Sequence, residues 1–231
     1  MKRIKIWGAA ISILFVAATF CFTSTANADL VTFEFFSGND LGAALENAGD
    51  DFTGTEAGIT FVASATGPDD AVPDAASNTN GLGVNSTVTG DSGTQIDPGE
   101  TLSIQINFDP AAFSKVELAT IDLGDIGALG DGADITLPGG TTLFYDDAAA
   151  APAGFTFTGG SPDIITVDRV NNPIELVSGD TLVFNTPAGQ AGGEFRVQRL
   201  TLHLDPIVVP EPSSLGLLGL LGLGIVARRR R

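Results

Sequence analysis

Thr101-Leu102-Ser103-Ile104-Gln105-Ile106-Asn107-Phe108 alternates polar and apolar residues without a break. A period of two puts Leu102, Ile104, Ile106 and Phe108 on one face of an extended chain and the polar residues on the other, the pattern of a half-buried antiparallel strand. Comparable runs occupy residues 31–36, 59–66, 113–122, 141–145, 155–158, 164–170, 181–185 and 195–204, with a weaker one at 82–88. Leu137-Pro138-Gly139-Gly140-Thr141 and Val177-Ser178-Gly179-Asp180-Thr181 read as hairpin connections. In the last run the apolar phase slips, from Phe195 and Val197 to Leu200, Leu202 and Leu204. One extra residue in a β-bulge near Gln198 or Arg199 absorbs the slip. Helical spacing appears only in 39–47, where Leu41, Ala44 and Leu45 share a face. Many short strands with almost no helix predict an all-β fold, an antiparallel β-sandwich with jelly-roll-like connectivity.

The N-terminus is a leader. Lys2, Arg3 and Lys5 precede an apolar stretch that ends near Phe22, and Ser24-Thr25-Ala26-Asn27-Ala28 closes in the small-x-small pattern signal peptidase accepts, with Ala26 and Ala28 as the small residues. Cleavage after Ala28 is expected, so residues 1–28 form the signal peptide. Met1, Trp7 and Cys21 all lie within it, and the mature chain therefore has no methionine, tryptophan or cysteine. That excludes a disulfide framework, a cysteine nucleophile and a thiolate metal site.

Residues 29–206 form the expected ectodomain, and one domain of that size buries roughly 70 percent of its unfolded surface. Twelve phenylalanines remain to fill it. It holds 27 of the 28 acids against Lys115, Arg169, Arg196 and Arg199, a net charge of −23. Such a field repels nucleic acid, which is excluded as a partner, and anionic membranes, and it attracts cations. Residues 67–99 are looser, with Pro68, Pro73 and scattered Asp, Asn and Gly, the composition of long loops. No period of about 20–50 residues recurs, which disfavours a propeller or solenoid.

Catalytic patterns fail on their missing partners. Gly90-Asp91-Ser92-Gly93 matches the tetrapeptide of trypsin-like proteases, but the single histidine, His203, follows the serine instead of preceding it. A nucleophilic serine without a base is inert. Asp91-Ser92-Gly93 also matches an aspartic-protease triplet, yet there is no second copy. In Leu200-Thr201-Leu202-His203-Leu204 the histidine falls on the polar face with Thr201 and reads as a surface residue. Carboxylates are too abundant to single out a glycosidase pair, which needs two acids about 5–9 Å apart. No tryptophan is left to stack a sugar ring.

Calcium is the better ionic candidate. Asp122, Asp125, Asp131 and Asp134 share a glycine-rich segment between strands, and a hard cation needs oxygens on flexible backbone. Asp69, Asp70 and Asp74 form a second acidic cluster and Asp50-Asp51 a third. None fits the EF-hand template or the nonapeptide calcium repeat.

The C-terminus has three parts. Val209-Pro210-Glu211-Pro212 closes a linker (207–212), an uncharged leucine- and glycine-rich run follows at 213–227, and Arg228, Arg229, Arg230 and Arg231 end the chain. As a helix the run reaches roughly 22 Å, less than a bilayer core of about 30 Å. The arginines hold the terminus in the cytoplasm and leave everything before Pro210 outside. Two prolines keep residues 210–212 extended and withhold amide donors, as suits a processing substrate. This triplet, apolar span and arginine cluster resemble the PEP-CTERM sorting signal of Gram-negative bacteria. The resemblance implies recognition by exosortase, an integral-membrane cysteine transpeptidase that removes the tail and releases or re-anchors the remainder at the cell surface.

Three functional classes follow. The first is a non-enzymatic structural or interaction protein of the surface or matrix, linked to exopolysaccharide or biofilm, as resemblance to exosortase substrates implies. The second is a binding module, either calcium-assisted carbohydrate-binding or ice-binding. An ice face needs ranks of threonine at regular spacing along flat strands, and Thr141-Thr142 and Thr156-x-Thr158 are too few to form one. The third is a polysaccharide hydrolase.

Overall fold

Alternation becomes burial along Thr101–Phe108, where Leu102, Ile104 and Ile106 are fully buried and the polar residues between them stay half-exposed. A computed structural model describes residues 28–35, 51–68, 71–75, 81–86, 95–124, 126, 132–146, 149–187 and 194–207. Their strands are β1 (Asp29–Glu34), β2 (Asp51–Glu56), β3 (Ile59–Thr66), β4 (Val72–Ala75), β5 (Leu82–Asn85), β6 (Thr101–Phe108), β7 (Phe113–Gly124), β8 (Ala133–Thr136), β9 (Thr142–Tyr145), β10 (Phe155–Thr158), β11 (Asp163–Val167), β12 (Ile174–Glu175), β13 (Asp180–Asn185) and β14 (Arg196–Pro206). The described residues contain no helix, and the helical spacing at 39–47 lies outside them.

The strands form two antiparallel sheets. One runs β10-β11-β7-β14-β5-β4, with β1 also on β14 and β12 also on β7; the other runs β2-β3-β6-β13-β8-β9. The pairs β5·β14, β6·β13, β7·β11 and β8·β9 are nested in the chain and alternate between the sheets. That is jelly-roll connectivity, a long hairpin folded over itself so that successive strand pairs fall on opposite layers. The expected all-β sandwich is what the chain forms.

Inward faces of both sheets supply the core. Ile121, Leu123, Leu200 and Leu202 from the larger sheet and Leu102, Ile104, Leu182 and Phe184 from the smaller are all fully buried. Phe33 on β1 and Phe35 just beyond it meet Phe61 of β3 edge-on, with centroids 4.7 and 5.7 Å apart. These contacts fasten the N-terminal strand across the layers, because edge-to-face rings match a positive rim to a negative face.

The phase slip is resolved as expected. The β14·β7 register shifts between Val197 and Arg199, where Gln198 is the extra residue, and a second shift, where Ala119 of β7 is the extra residue, keeps Leu118 and Val116 inward opposite Leu202 and Leu204. Gly139 and Gly140, both at φ 85°, turn β8 into β9. The other expected hairpin is corrected. Val177–Thr181 joins β12, which pairs with β7, to β13, which pairs with β6, so it is a corner between the sheets. Burial of Leu176, whose amide donates to the Val116 carbonyl at 2.8 Å, draws the chain down before it crosses. The run at 164–170 ends at Val167, because Asp168 Oδ1 accepts the amides of Val170 and Asn171 and bends the chain into a turn.

The sandwich has two distinct poles. At one, β1 begins, β14 ends, and the turns at 57–58, 109–112 and 177–179 cluster; Phe108 and Phe113 stack edge-on there at 6.1 Å. At the other lie Phe35, Gly124, Ala133, Asn185 and Arg196, the strand ends joined by residues 36–50, 125–132 and 186–195.

Candidate functional site

The first pole carries the two ends of the described sandwich. Asp29, the residue after the expected signal-peptidase site, pairs with Leu204, and Pro206 pairs with Phe113. The Ile207 amide then donates to the Ala112 carbonyl at 2.7 Å. Ala28 is exposed beside this edge, whereas Ala26 lies outside the described residues. Val209, Pro210, Glu211, Pro212 and Arg228 to Arg231 lie outside them as well, so the sorting elements begin where the described sandwich stops. Among the described residues no helix is long and apolar enough to cross a membrane.

The acidic candidates belong to the opposite pole. Asp122 projects from the outer face of β7, 3.6 Å from Arg199, which also binds Glu34 Oε1 at 2.9 Å. Burial pushes the Asp122 carboxyl above its usual range, and the Arg199 charge only partly offsets this. Asp134 stands on the outer face of β8 in the other sheet, opposite Asn185, and burial raises it too. Asp125 and Asp131 lie outside the described residues, as do Asp69 and Asp70. The two described members of the set thus face away from each other across the sandwich. Among the described residues no group of three potential ligands gathers around a point.

Sequence reasoning missed the strongest electrostatic cluster. Glu117, whose side chain is 2% exposed, receives Lys115 Nζ at 2.7 Å, Arg169 Nη2 at 3.3 Å and His203 Nδ1 at 3.3 Å. Burial alone pushes the Glu117 carboxyl up, but Lys115 and then Arg169 outweigh it and hold it below the usual range. The lysine is raised in turn. Glu117 Oε1, Arg169 Nε and His203 Nδ1 lack well-aligned hydrogen bonds, so the Lys115 contact is ionic rather than directional. His203, expected at the surface, has a side chain only 15% exposed. The signal was present in Lys115-x-Glu117 and Thr201-x-His203, both on polar strand faces, but their pairing needs the register of β7 against β14.

The same register builds a rank of hydroxyls. Thr32, Thr201, Thr120, Thr166 and Thr156 are successive partners across β1, β14, β7, β11 and β10. They are spaced at the interstrand distance of about 4.8 Å. Thr32 and Thr201 share a 3.1 Å hydrogen bond. The outer face of the six-stranded sheet is also hydroxyl- and amide-rich: Thr60 opposes Asn107, Ser64 opposes Ser103, and Thr136 bonds Thr142 at 3.2 Å. Elsewhere polar groups serve the fold: Tyr145 donates to buried Asp163 Oδ1 at 2.9 Å, which also accepts the Gly160 amide.

Comparison with known proteins adds one match. A family model described as a PEP-CTERM protein-sorting motif covers residues 208–231, and it starts at the residue after Ile207. No curated protein and no solved structure matches the chain. The chain therefore carries at its C-terminus the PEP-CTERM sorting signal, the mark of an exported protein that exosortase processes and sorts toward the cell surface.

Proposed function

We propose that the chain is a non-enzymatic surface or matrix protein, exported through its signal peptide, held by its tail and handed to exosortase, and that its sandwich serves exopolysaccharide or biofilm material. One observation carries this reading: the sandwich closes at Ile207 and the sorting signal begins at the next residue. The sorting signal thus follows directly in sequence on the last described residue of the sandwich. The engagement of Glu117, His203 and Asp163 in structural contacts supports a role without catalysis. Replacing Pro210, Glu211 and Pro212 together by alanine in the native host tests it. The variant should accumulate as the unprocessed, membrane-held form; normal release would overturn the sorting half. Reducing-sugar release from polysaccharides by the purified protein would overturn the non-enzymatic half.

A second reading, glycan or ice binding, is favoured by the threonine rank across β1, β14, β7, β11 and β10. Retention on insoluble glycans, or shaping of ice crystals, by the wild type but not by Thr166→Lys would support it.

A further inference from the structure

We propose that, while the tail is attached, the sandwich stands end-on, with the pole formed by residues 109–112, 177–179 and Ile207 resting in the interfacial layer of the lipid bilayer. This rests on the tail-anchored reading above and adds the pose. The chain fixes the reach first. Ile207 is tied to Ala112, and the uncharged run begins at Ser213, so six extended residues span at most about 20 Å. The leader ends at the same pole, since Ala28 precedes β1, so both membrane-handled segments leave the sandwich together.

Surface chemistry separates end-on from side-on. The large apolar side chains exposed among the described residues are Leu30, Phe144, Val170, Val177 and Ile207, and three of these, Leu30, Val177 and Ile207, belong to the tail pole. Pro110, Ala111, Ala112 and Pro206 are exposed around them. Of the carboxylates at this pole, Asp109 accepts the Ala111 amide at 2.8 Å and Asp180 accepts the Val177 amide at 2.8 Å, while Asp29 and Glu56 are exposed and Asp205 half-buried at its rim, where they stay in water. The flanks differ. One carries Glu34, Arg199 and Asp122, and the other the hydroxyls and amides of the six-stranded sheet, groups that gain little by leaving water. Exposed apolar side chains are where contact with a bilayer interface is favourable. Standing on this pole, the sandwich holds its opposite pole roughly 35–40 Å farther out, the length of twelve-residue β7. The strand ends around the acidic segments are thereby displayed away from the membrane.

Absence of cysteine beyond Cys21 makes the pose measurable. Val177→Cys, Ala111→Cys and, at the far pole, Thr66→Cys are introduced singly into the mature chain from Asp29 to Arg231, which has no other cysteine, and labelled with one fluorophore. The chains are reconstituted in zwitterionic vesicles containing nitroxide-headgroup lipid. Quenching at 177 and 111 is expected to exceed that at 66 several-fold. Equal quenching at all three sites, or none at any, in a chain that still floats with the vesicles would overturn the end-on pose alone. A chain that does not float would overturn the tail-anchored reading and the pose with it. Quenching at 177 that appears only when exosortase is co-reconstituted would assign the pole to the enzyme instead and overturn the lipid contact.

Discussion

The amide of Ile207 donates to the carbonyl of Ala112, and this bond is the last described tie between the sandwich and the sorting tail. It lies one residue past β14, so the ladder ends on the linker itself. Ile207→Pro removes the donor. A single net hydrogen bond is worth about 1 kcal/mol, so the melting temperature should fall by roughly 2–4 °C. Thermal melts of variant and wild type check this, and an unchanged melting temperature would show that the bond contributes nothing.

Phe61 receives the edges of both Phe33 and Phe35, which makes it the contact through which β1 is held to the opposite sheet. Phe61→Ala should cost about 3–5 kcal/mol from lost transfer energy and the cavity left behind. Phe61→Leu should cost less than half of that. Chemical denaturation of both variants measures the difference, and equal losses would mean that ring geometry and volume are unimportant here.

Glu117→Gln removes the negative centre of a cluster of three bases. Loss of one partner from a buried ion pair costs about 3–5 kcal/mol, and partial exposure of Lys115 and Arg169 reduces this to about 1–3 kcal/mol at neutral pH. The folded-state pKa of Glu117 is depressed, so its stabilisation is present above the ordinary glutamate value of about 4.3 and is lost as pH falls through the folded value. Wild-type stability should therefore drop on acidification below about pH 4 more steeply than that of the variant. Parallel slopes in denaturation curves taken between about pH 2 and pH 5 would contradict the assignment.

Asp134 behaves in the opposite sense. Burial raises its folded-state pKa, so its charge opposes folding at neutral pH, and that penalty disappears as pH falls below the folded value. Asp134→Asn should raise the melting temperature by a few degrees at pH 7, with the gain shrinking on acidification. A bound calcium ion would reverse the sign, since the carboxylate would then be a ligand. Melting curves with and without chelator distinguish the two: loss of stability on chelation in the wild type, absent in Asp134→Asn, would establish the ion.

Much of the architecture was legible in residue order. Period-two alternation located β6 and β3 to the residue, and the apolar slip after Val197 located the bulge, because a strand with one buried face must keep its parity. Val177–Thr181 shows where that reasoning stops. Glycine and aspartate specify a turn, but whether the next strand stays in the sheet depends on where Leu176 finds its core. β2, β4, β8 and β12 did not stand out from loops because each carries a single large apolar residue, Phe52, Val72, Ile135 and Ile174 respectively, which is too few to show a period.

Local sequence by itself determined the alternating strands and the sorting tail, since each is a contiguous pattern acting through its own covalent neighbours. Only the tertiary structure decided that Lys115, Arg169 and His203 meet on Glu117, that five threonines from five strands form one rank, and that the described sandwich begins and ends at the same pole. Those relationships join residues far apart in the chain, and interstrand register, set by packing of the two apolar faces, is the physical term that brings them together.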